Sequence, residues 1–454
     1  MPLLVDKKSF KGLLILVDLI FIYLAFVTAF HLRYSEVPDR NWAAFLSISP
    51  WILLISFFFL SIYEIYALNR KHIWDIIRSL FVASTFISLV TMSVSFLFRE
   101  FALPRSVLLI AYILMILYLS IWKVLLTSLR QGSPKGKVLL IAHPPEIEKF
   151  AQQVASSYGR SPRFVRISPD EEMDDIIARV KAPDVDHILI SSALNQDRKA
   201  QIIYQAMKQN KIIYVIPSLY DLLLSKAVIT SVDESMVMAV KPFGLTYDER
   251  VAKRIFDLVL SIPLFVLMIP VYSLIALLVK LDSPHSSVIY KQTRLGQDNR
   301  EFTLYKFRSM VENAEKETGP VLAIKDDVRV TKIGKFLRAT RLDETPQLFN
   351  VLMGHMSLVG PRPEREHFIS ILTKQHKAYQ YRSTVKPGIT GYAQVMGSYG
   401  TDVEDKLRFD LYYIRNYSIW LDIVIILRTI VVLIDGKKAE GAKSPVNKYD
   451  VSKS

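Results

Sequence analysis

The residues best suited to chemistry lie in one run, Arg338-Ala339-Thr340-Arg341-Leu342-Asp343-Glu344-Thr345-Pro346-Gln347, followed by the turn Gly360-Pro361-Arg362-Pro363. Two adjacent carboxylates among arginines suit phosphate chemistry. A guanidinium grips phosphate oxygens as a bidentate fork, an ionised aspartate can attack phosphorus, and a neighbouring glutamate can hold Mg²⁺, which screens carboxylate from phosphate. Thr345 followed by Pro346 predicts a helix opening, threonine as N-cap and proline at the first helical position, with Gly354 as the stop. Asp343 and Glu344 then sit just outside a helix N-terminus. There the macrodipole, with Arg338 and Arg341, is expected to keep both carboxylates ionised. The same pair also makes good helix capping, so alone it does not decide for chemistry.

Neighbouring motifs add weight. Pro361 and Pro363 stiffen the backbone around Arg362, which suits a phosphate grip as well as a plain surface turn. Lys386-Pro387-Gly388-Ile389-Thr390-Gly391 is a second stiff loop, able to bring backbone amides to an anion or to close on the core. Tyr290-Lys291-Gln292-Thr293-Arg294-Leu295-Gly296 and Tyr305-Lys306-Phe307-Arg308-Ser309-Met310 interleave basic and aromatic side chains, for a membrane surface or for substrate phosphate.

The elements that must position these residues belong to a membrane protein. The 454 residues are 51% hydrophobic, with a mean hydropathy of +0.25. The net charge of +14 reads as positive-inside topology rather than nucleic-acid binding. No cysteine is present, so disulfides, thiolate metal sites and cysteine nucleophiles are excluded. Four apolar runs, Leu13 to Phe30, Ala43 to Ile62, Ile76 to Phe98 and Val107 to Leu129, each approach the ~20 residues of a spanning helix. Lys7, Lys8 and Lys11, then Arg70, Lys71 and Arg78, then Arg130, Lys135 and Lys137 all fall on one side, which puts both ends of the bundle in the cytoplasm. Asp18 lies inside the first run, as a functional contact or a helix–helix hydrogen bond.

From Lys137 to about Tyr247, the runs Val138 to Ile141, Phe164 to Ile167, His187 to Ser191 and Ile212 to Ile216 alternate with helix-like stretches, predicting a small parallel, Rossmann-like α/β domain. Its first turn, Ala142-His143-Pro144-Pro145, lacks the glycine fingerprint of a dinucleotide site. Ile255 to Val279 is a fifth long apolar run, but basic residues flank both ends: Arg250, Lys253 and Arg254 before it, Lys280, Lys291 and Arg294 after it. A helix broken at Pro270 that enters one leaflet and returns satisfies the charge rule where a straight span does not. Ser261, Tyr272 or Ser273 are candidates to satisfy carbonyls freed near the break. Ile419 to Ile434 is short for a span and predicts an interfacial helix. The expected domains are a transmembrane bundle (1–132), the α/β domain (133–247), a mainly α-helical catalytic domain (248–436) and a flexible tail (437–454).

The segment from Lys253 to about Leu433 resembles the bacterial sugar transferases, the monotopic phosphoglycosyl transferases that act on polyprenyl phosphate. The resemblance rests on Lys253-Arg254-Ile255-Phe256-Asp257, Tyr305-Lys306-Phe307-Arg308-Ser309-Met310, Leu342-Asp343-Glu344, Gln347-Leu348-Phe349-Asn350-Val351-Leu352, Gly360-Pro361-Arg362-Pro363 and Lys386-Pro387-Gly388-Ile389-Thr390-Gly391, in that order. It implies a ping-pong reaction in which Asp343 takes hexose 1-phosphate from a UDP-sugar, expels UMP and passes the group to polyprenyl phosphate. It further implies Mg²⁺ at Glu344, phosphate held by Arg338 and Arg362 with Arg341, Lys306 and Arg308 as further candidates, and a helix break at Pro270. The place implied is the bacterial inner membrane, multi-pass, with the catalytic domain on the cytoplasmic face and membrane lipids as partners. The resemblance leaves room for a homodimer. A regulatory scaffold without turnover, or a multispanning enzyme or transporter crossed by Ile255 to Val279, are the competing readings.

Overall fold

The computed structural model describes residues 8–63, 65–66, 73–98, 103–130, 137–144, 146–148, 150, 164–312, 314, 327–397 and 401–434. Lys7, Arg70, Lys71, Lys135 and the expected tail lie outside them. The chain divides into two compact units, Met1–Ser218 and Leu219–Ser454.

The first unit opens with four helices, α1 (Lys8–Arg33), α2 (Asp39–Ile62), α3 (Ile73–Leu97) and α4 (Arg105–Arg130), each long and apolar enough to cross a bilayer. Leu13, Leu16, Ile20 and Leu24 point outward from α1, while Ile22, Ala25, Phe26 and Ala29 are buried. A helix whose outer face is as oily as its inner one is stable only where that outer face meets lipid. α1 packs on α4, and both α2 and α4 pack on α3.

Asp18 resolves as a buried ion pair. Lys123 Nζ of α4 donates to both Asp18 oxygens, at 2.9 and 2.7 Å, and neither side chain is exposed. The Lys123 ammonium also lies 4.9 Å from the centre of the Tyr66 ring. The helix–helix hydrogen bond is therefore what Asp18 makes, and its partner is the lysine of the fourth apolar run.

Past the bundle, β1 (Lys137–Ile141), β2 (Phe164–Ile167), β3 (Val185–Ile190) and β4 (Ile212–Val215) form one sheet in the order β2-β1-β3-β4, parallel throughout. Each strand falls where a β-branched run predicted one. Leu139, Ile141, Ile188 and Ile190 are buried against Ile176, Val180, Ile202 and Ala206 of the covering helices Met173–Lys181 and Gln196–Lys208.

In the second unit, Leu222 joins the buried core of the C-terminal region and Lys226 Nζ donates to Tyr417 O at 3.4 Å. The stretch from Leu219, including the hairpin Val228–Val232 with Ser235–Ala239, therefore packs with the C-terminal region. A second hairpin, Ile289–Leu295 with Glu301–Phe307, carries Lys306. Its basic and aromatic residues alternate because successive strand residues face opposite sides.

Tyr247–Asp282 is one uninterrupted helix of 36 residues, opened by a Thr246 and Glu249 capping box and continuous through Pro263 and Pro270. The helix break expected at Pro270 does not end the helix, although that proline has no N–H to donate to the preceding turn. Ser273 Oγ donates to Ile269 O at 3.1 Å, close to the proline. Ser261 is buried with an unbonded hydroxyl, and Tyr272 reaches outside the helix altogether.

Removing one partner of a buried ion pair strands the other charge, at a cost of about 3–5 kcal/mol, whereas removing both leaves no charge to strand. Lys123→Met is therefore expected to lower the melting temperature in detergent well below that of Asp18→Asn/Lys123→Met. Equal melting of the two would show that the pair does not lock α1 to α4.

Candidate active site

Arg341 starts the local geometry. Its backbone is left-handed, at φ 54° and ψ 18°, and turns the chain into the 3-10 segment Leu342–Glu344. A non-glycine residue in that region is strained, and such strain persists where the surroundings over-determine it. Thr345 already has helical dihedrals, −63° and −26°, and its hydroxyl donates back to Leu342 O at 2.7 Å. It is not the N-cap; Pro346 holds that position, and the helix runs Gln347–Met353 to a left-handed Gly354 at φ 86°. The difference arises because helical backbone begins upstream, at the Arg341 turn.

Side chains from distant elements lock this helix. Tyr272 Oη donates to Thr345 O at 3.0 Å, while Arg254 donates to Val351 O at 2.6 Å and Leu352 O at 2.8 Å. The long helix thus grips both ends of the short one, and Arg254 satisfies carbonyls that a helix C-terminus leaves orphaned. Midway, the fully buried Asn350 accepts from Tyr305 N at 3.1 Å and donates to Thr303 O at 2.7 Å, pinning the helix to the second hairpin.

That hairpin brings Lys306 to Glu344, with Nζ 2.8 Å from Oε1; Arg362 Nη2 donates to the same oxygen at 2.7 Å. Burial alone would raise the Glu344 carboxyl, but Arg362 and Lys306 hold it well below its usual range. Asp343 behaves oppositely. It is 8% exposed and, among the described residues, no donor hydrogen-bonds to its carboxylate. Burial, and then the charge of Glu344, push it up to about 6, against the opposing pull of Lys306, Arg338 and Arg362. The expectation that the setting favours the ionised form of both carboxylates holds for Glu344, whereas Asp343 is raised to about 6, because one shared set of cations bonds directly to only one of them.

Of the other candidates, Arg338 donates to Ser309 Oγ at 2.9 Å and acts on Asp343 through its charge. Arg308 binds Ser287, at 2.7 and 2.6 Å, and makes no ion pair among the described residues. Arg341 has a buried Nε without a partner. Pro270 is exposed on the long helix. In the loop 386–391 the Gly388 amide is already taken: Gly388 N donates to Pro361 O at 2.9 Å, and a Cβ on Gly388 would lie 2.1 Å from Gly360 N. Asn350, Tyr272 and Arg254 were not singled out individually as site supports from sequence, since their partners are main-chain atoms that no spacing reveals.

Among the described residues, no group of three or more His, Asp or Glu could hold a metal. The donor set still fits Mg²⁺, which takes one or two carboxylates and completes its shell with water and substrate phosphate. Glu344 Oε1 carries both short contacts, and Oε2 has only one long one, at 3.4 Å to Arg362.

The family model for bacterial sugar transferase matches residues 248–436. The exopolysaccharide production protein PSS of Rhizobium leguminosarum bv. phaseoli is 42% identical over 194 residues, which cover 40% of this chain and 95% of that relative. The chain belongs to the bacterial sugar transferase family. Among other members, the UDP-N-acetylgalactosamine-undecaprenyl-phosphate N-acetylgalactosaminephosphotransferase of Aeromonas hydrophila is 40% identical over 49% of this chain and 52% of its own length. The UDP-glucose:undecaprenyl-phosphate glucose-1-phosphate transferase of Escherichia coli (strain K12) is 36% identical over 57% of this chain and 56% of its own length. The matches to these larger relatives thus span little more than half of their length. The site described above lies wholly within the segment that matches the bacterial sugar transferase model.

Because Asp343 binds its proton more tightly in the folded chain than in the unfolded one, its contribution to stability is fullest below about pH 4 and is lost as the pH rises through about 6. Asp343→Asn is therefore expected to be more stable than wild type at pH 8, by on the order of 3 kcal/mol, with the gap closing toward pH 4. Melting curves at the two pH values check the sign; a variant less stable at pH 8 would contradict it.

Proposed function

We propose that this chain transfers hexose 1-phosphate from a UDP-sugar to polyprenyl phosphate at the cytoplasmic face of a bacterial inner membrane, as the first membrane step of exopolysaccharide, capsule or O-antigen synthesis. The observation that carries the reading is the divided acidic pair: one carboxylate paired with Lys306 and Arg362, the other buried and, among the described residues, without a hydrogen-bond donor. A carboxylate without bonded donors keeps its lone pairs for an electrophile, and at pH 7 a group titrating near 6 is mostly ionised.

In the proposed sequence, an Asp343 oxygen attacks the β-phosphorus of the donor. The bond from that phosphorus to the bridging oxygen breaks, and UMP leaves with the electron pair. An oxygen of polyprenyl phosphate then attacks the aspartyl phosphosugar, releasing the Asp343 carboxylate and polyprenyl-diphosphate-sugar. Arg362 and Arg338 hold phosphate oxygens and oppose the charge that builds up on them. Glu344 would hold Mg²⁺, which when bound would supply further charge neutralisation.

Lipid and nucleotide must meet at headgroup depth, and the long helix supports that placement. Its N-terminal half binds the Gln347–Met353 helix through Arg254, and its C-terminal half packs Ile275 and Val279 on Phe307 and Leu337. Both halves thus dock on one body, while Ile262, Leu264, Val266 and Leu267 between them are exposed. At 36 residues the helix extends about 54 Å, longer than a bilayer core. We read it as re-entrant, bent at Pro270 and dipping into one leaflet. The parallel sheet supports a Rossmann-like reading of the α/β domain, without the glycine turn of a dinucleotide site.

Membranes carrying the chain, given a panel of UDP-sugars, are expected to release UMP with at least one of them. Asp343→Asn is expected to abolish UMP release, lipid-linked product and a sugar-phosphate adduct on residue 343 together; persistent turnover would remove Asp343 from the nucleophile's role. The wild-type kcat/KM is expected to rise with pH through about 6, as Asp343 loses its proton. Cysteines placed at either end of the long helix are expected to label from the same face; labelling from opposite faces would exclude the re-entrant path.

A further inference from the structure

The turn that carries Arg362 has little means of holding itself. Pro361 and Pro363 have no N–H to donate, yet consecutive carbonyls of the turn are all taken by groups from elsewhere. Pro361 O accepts from Gly388 N at 2.9 Å, Arg362 O from Arg382 Nη2 at 3.0 Å, and Pro363 O from Arg294 Nη1 at 3.1 Å. Two of these three donors are guanidinium groups of largely buried side chains, 11% exposed for Arg382 and 14% for Arg294.

Both arginines are themselves fixed. Arg382 Nε donates to Asp410 Oδ2 at 2.7 Å and Nη1 to Tyr379 Oη at 2.6 Å, with the guanidinium carbon 4.7 Å from the Tyr379 ring centre. Asp410 is only 3% exposed. Arg294 donates from Nε at 3.2 Å and from Nη2 at 2.8 Å to Gln292 Oε1, and pairs with Glu364 at 3.8 Å. Burying cations beside the like charge of Arg362 is an expensive way to satisfy two carbonyls, for which any neutral donor would serve. A rigid planar fork with all its nitrogens bonded offers something a neutral donor does not, a carbonyl position fixed in three dimensions.

We propose that Arg382 and Arg294 are positioning residues, which clamp the carbonyls of Arg362 and Pro363 and so aim the Arg362 side chain at Glu344 and at donor phosphate. The inference rests on the phosphoglycosyl transfer proposed above. It assigns the two arginines no contact with substrate: they act through the main chain of the turn. A displacement of 1 Å at a positioned group can cost about a hundredfold in rate, so a looser clamp should reduce turnover without unfolding the protein.

The test uses the full-length chain in membranes. Arg382→Lys keeps the charge but cannot bond Asp410, Tyr379 and Arg362 O together. It is expected to lower kcat for UMP release about tenfold while KM for the UDP-sugar changes less than about threefold. In an Arg362→Lys background, Arg382→Lys is expected to add less than about twofold, because the group it aims is already altered. Hydrogen exchange should quicken at the amides of residues 362 and 364 while the helix Val403–Arg415, which carries Asp410, stays protected. Equal losses in both backgrounds, or unchanged exchange in the turn, would overturn the clamp. If Arg382→Lys does not fold, Tyr379→Phe removes one bond at the edge of the network and is read by the same cycle and exchange measurements. Absence of UMP release by the wild-type chain would instead remove the proposed function, and this inference with it.

Discussion

The site depends on how a buried turn accommodates two adjacent carboxylates. Neither can be ionised there without compensation, and the compensation is unequal. Lys306 and Arg362 both bond to one oxygen of Glu344 and hold its carboxyl well below the usual range. Its charge, with burial, raises Asp343 to about 6, and among the described residues no donor bonds to that carboxylate. Two residues of like chemistry thus acquire different properties from their neighbours alone, one paired with two cations and held low, the other raised to about 6.

Maintaining that inequality requires elements far apart in sequence to converge on a three-residue turn. The hairpin supplies Lys306, the clamped turn supplies Arg362, and the Gln347–Met353 helix carries the pair between them. The long apolar helix holds that short helix by both ends through Tyr272 and Arg254. Lys253 extends the same helix's hold, donating to Asp422 at 2.7 Å, while Tyr413 bonds Asp422 and the carbonyl of Val359 just before the Arg362 turn. The element most suited to lipid is therefore also the one that organises the polar site. That coupling keeps the carboxylates beside whatever surface the long helix enters.

Much of the architecture was legible because burial imposes periodicity. The four apolar runs became four helices and the β-branched runs became a parallel sheet, since each pattern can be satisfied only by that local structure. Gly354 ended its helix as expected, in the left-handed conformation glycine tolerates. The Thr345 cap was misread because Arg341, not a glycine, makes the preceding left-handed turn. Glycines of the loop 386–391 allow two backbones to approach, a use of small residues that looks identical in sequence to an anion nest.

By itself the sequence determined the membrane character, the order of elements and the identity of the acidic pair, because hydropathy and residue type act locally and survive in one dimension. Only the tertiary structure decided that Lys123 neutralises Asp18 across 105 positions, that Lys306 and Arg362 bond to Glu344 rather than Asp343, and that Arg308 turns to Ser287. Charges act through distance and burial, and neither is written in the spacing of residues along a chain. The same is true of Arg382 and Arg294, whose partners are backbone carbonyls that every residue has and only folding brings within reach.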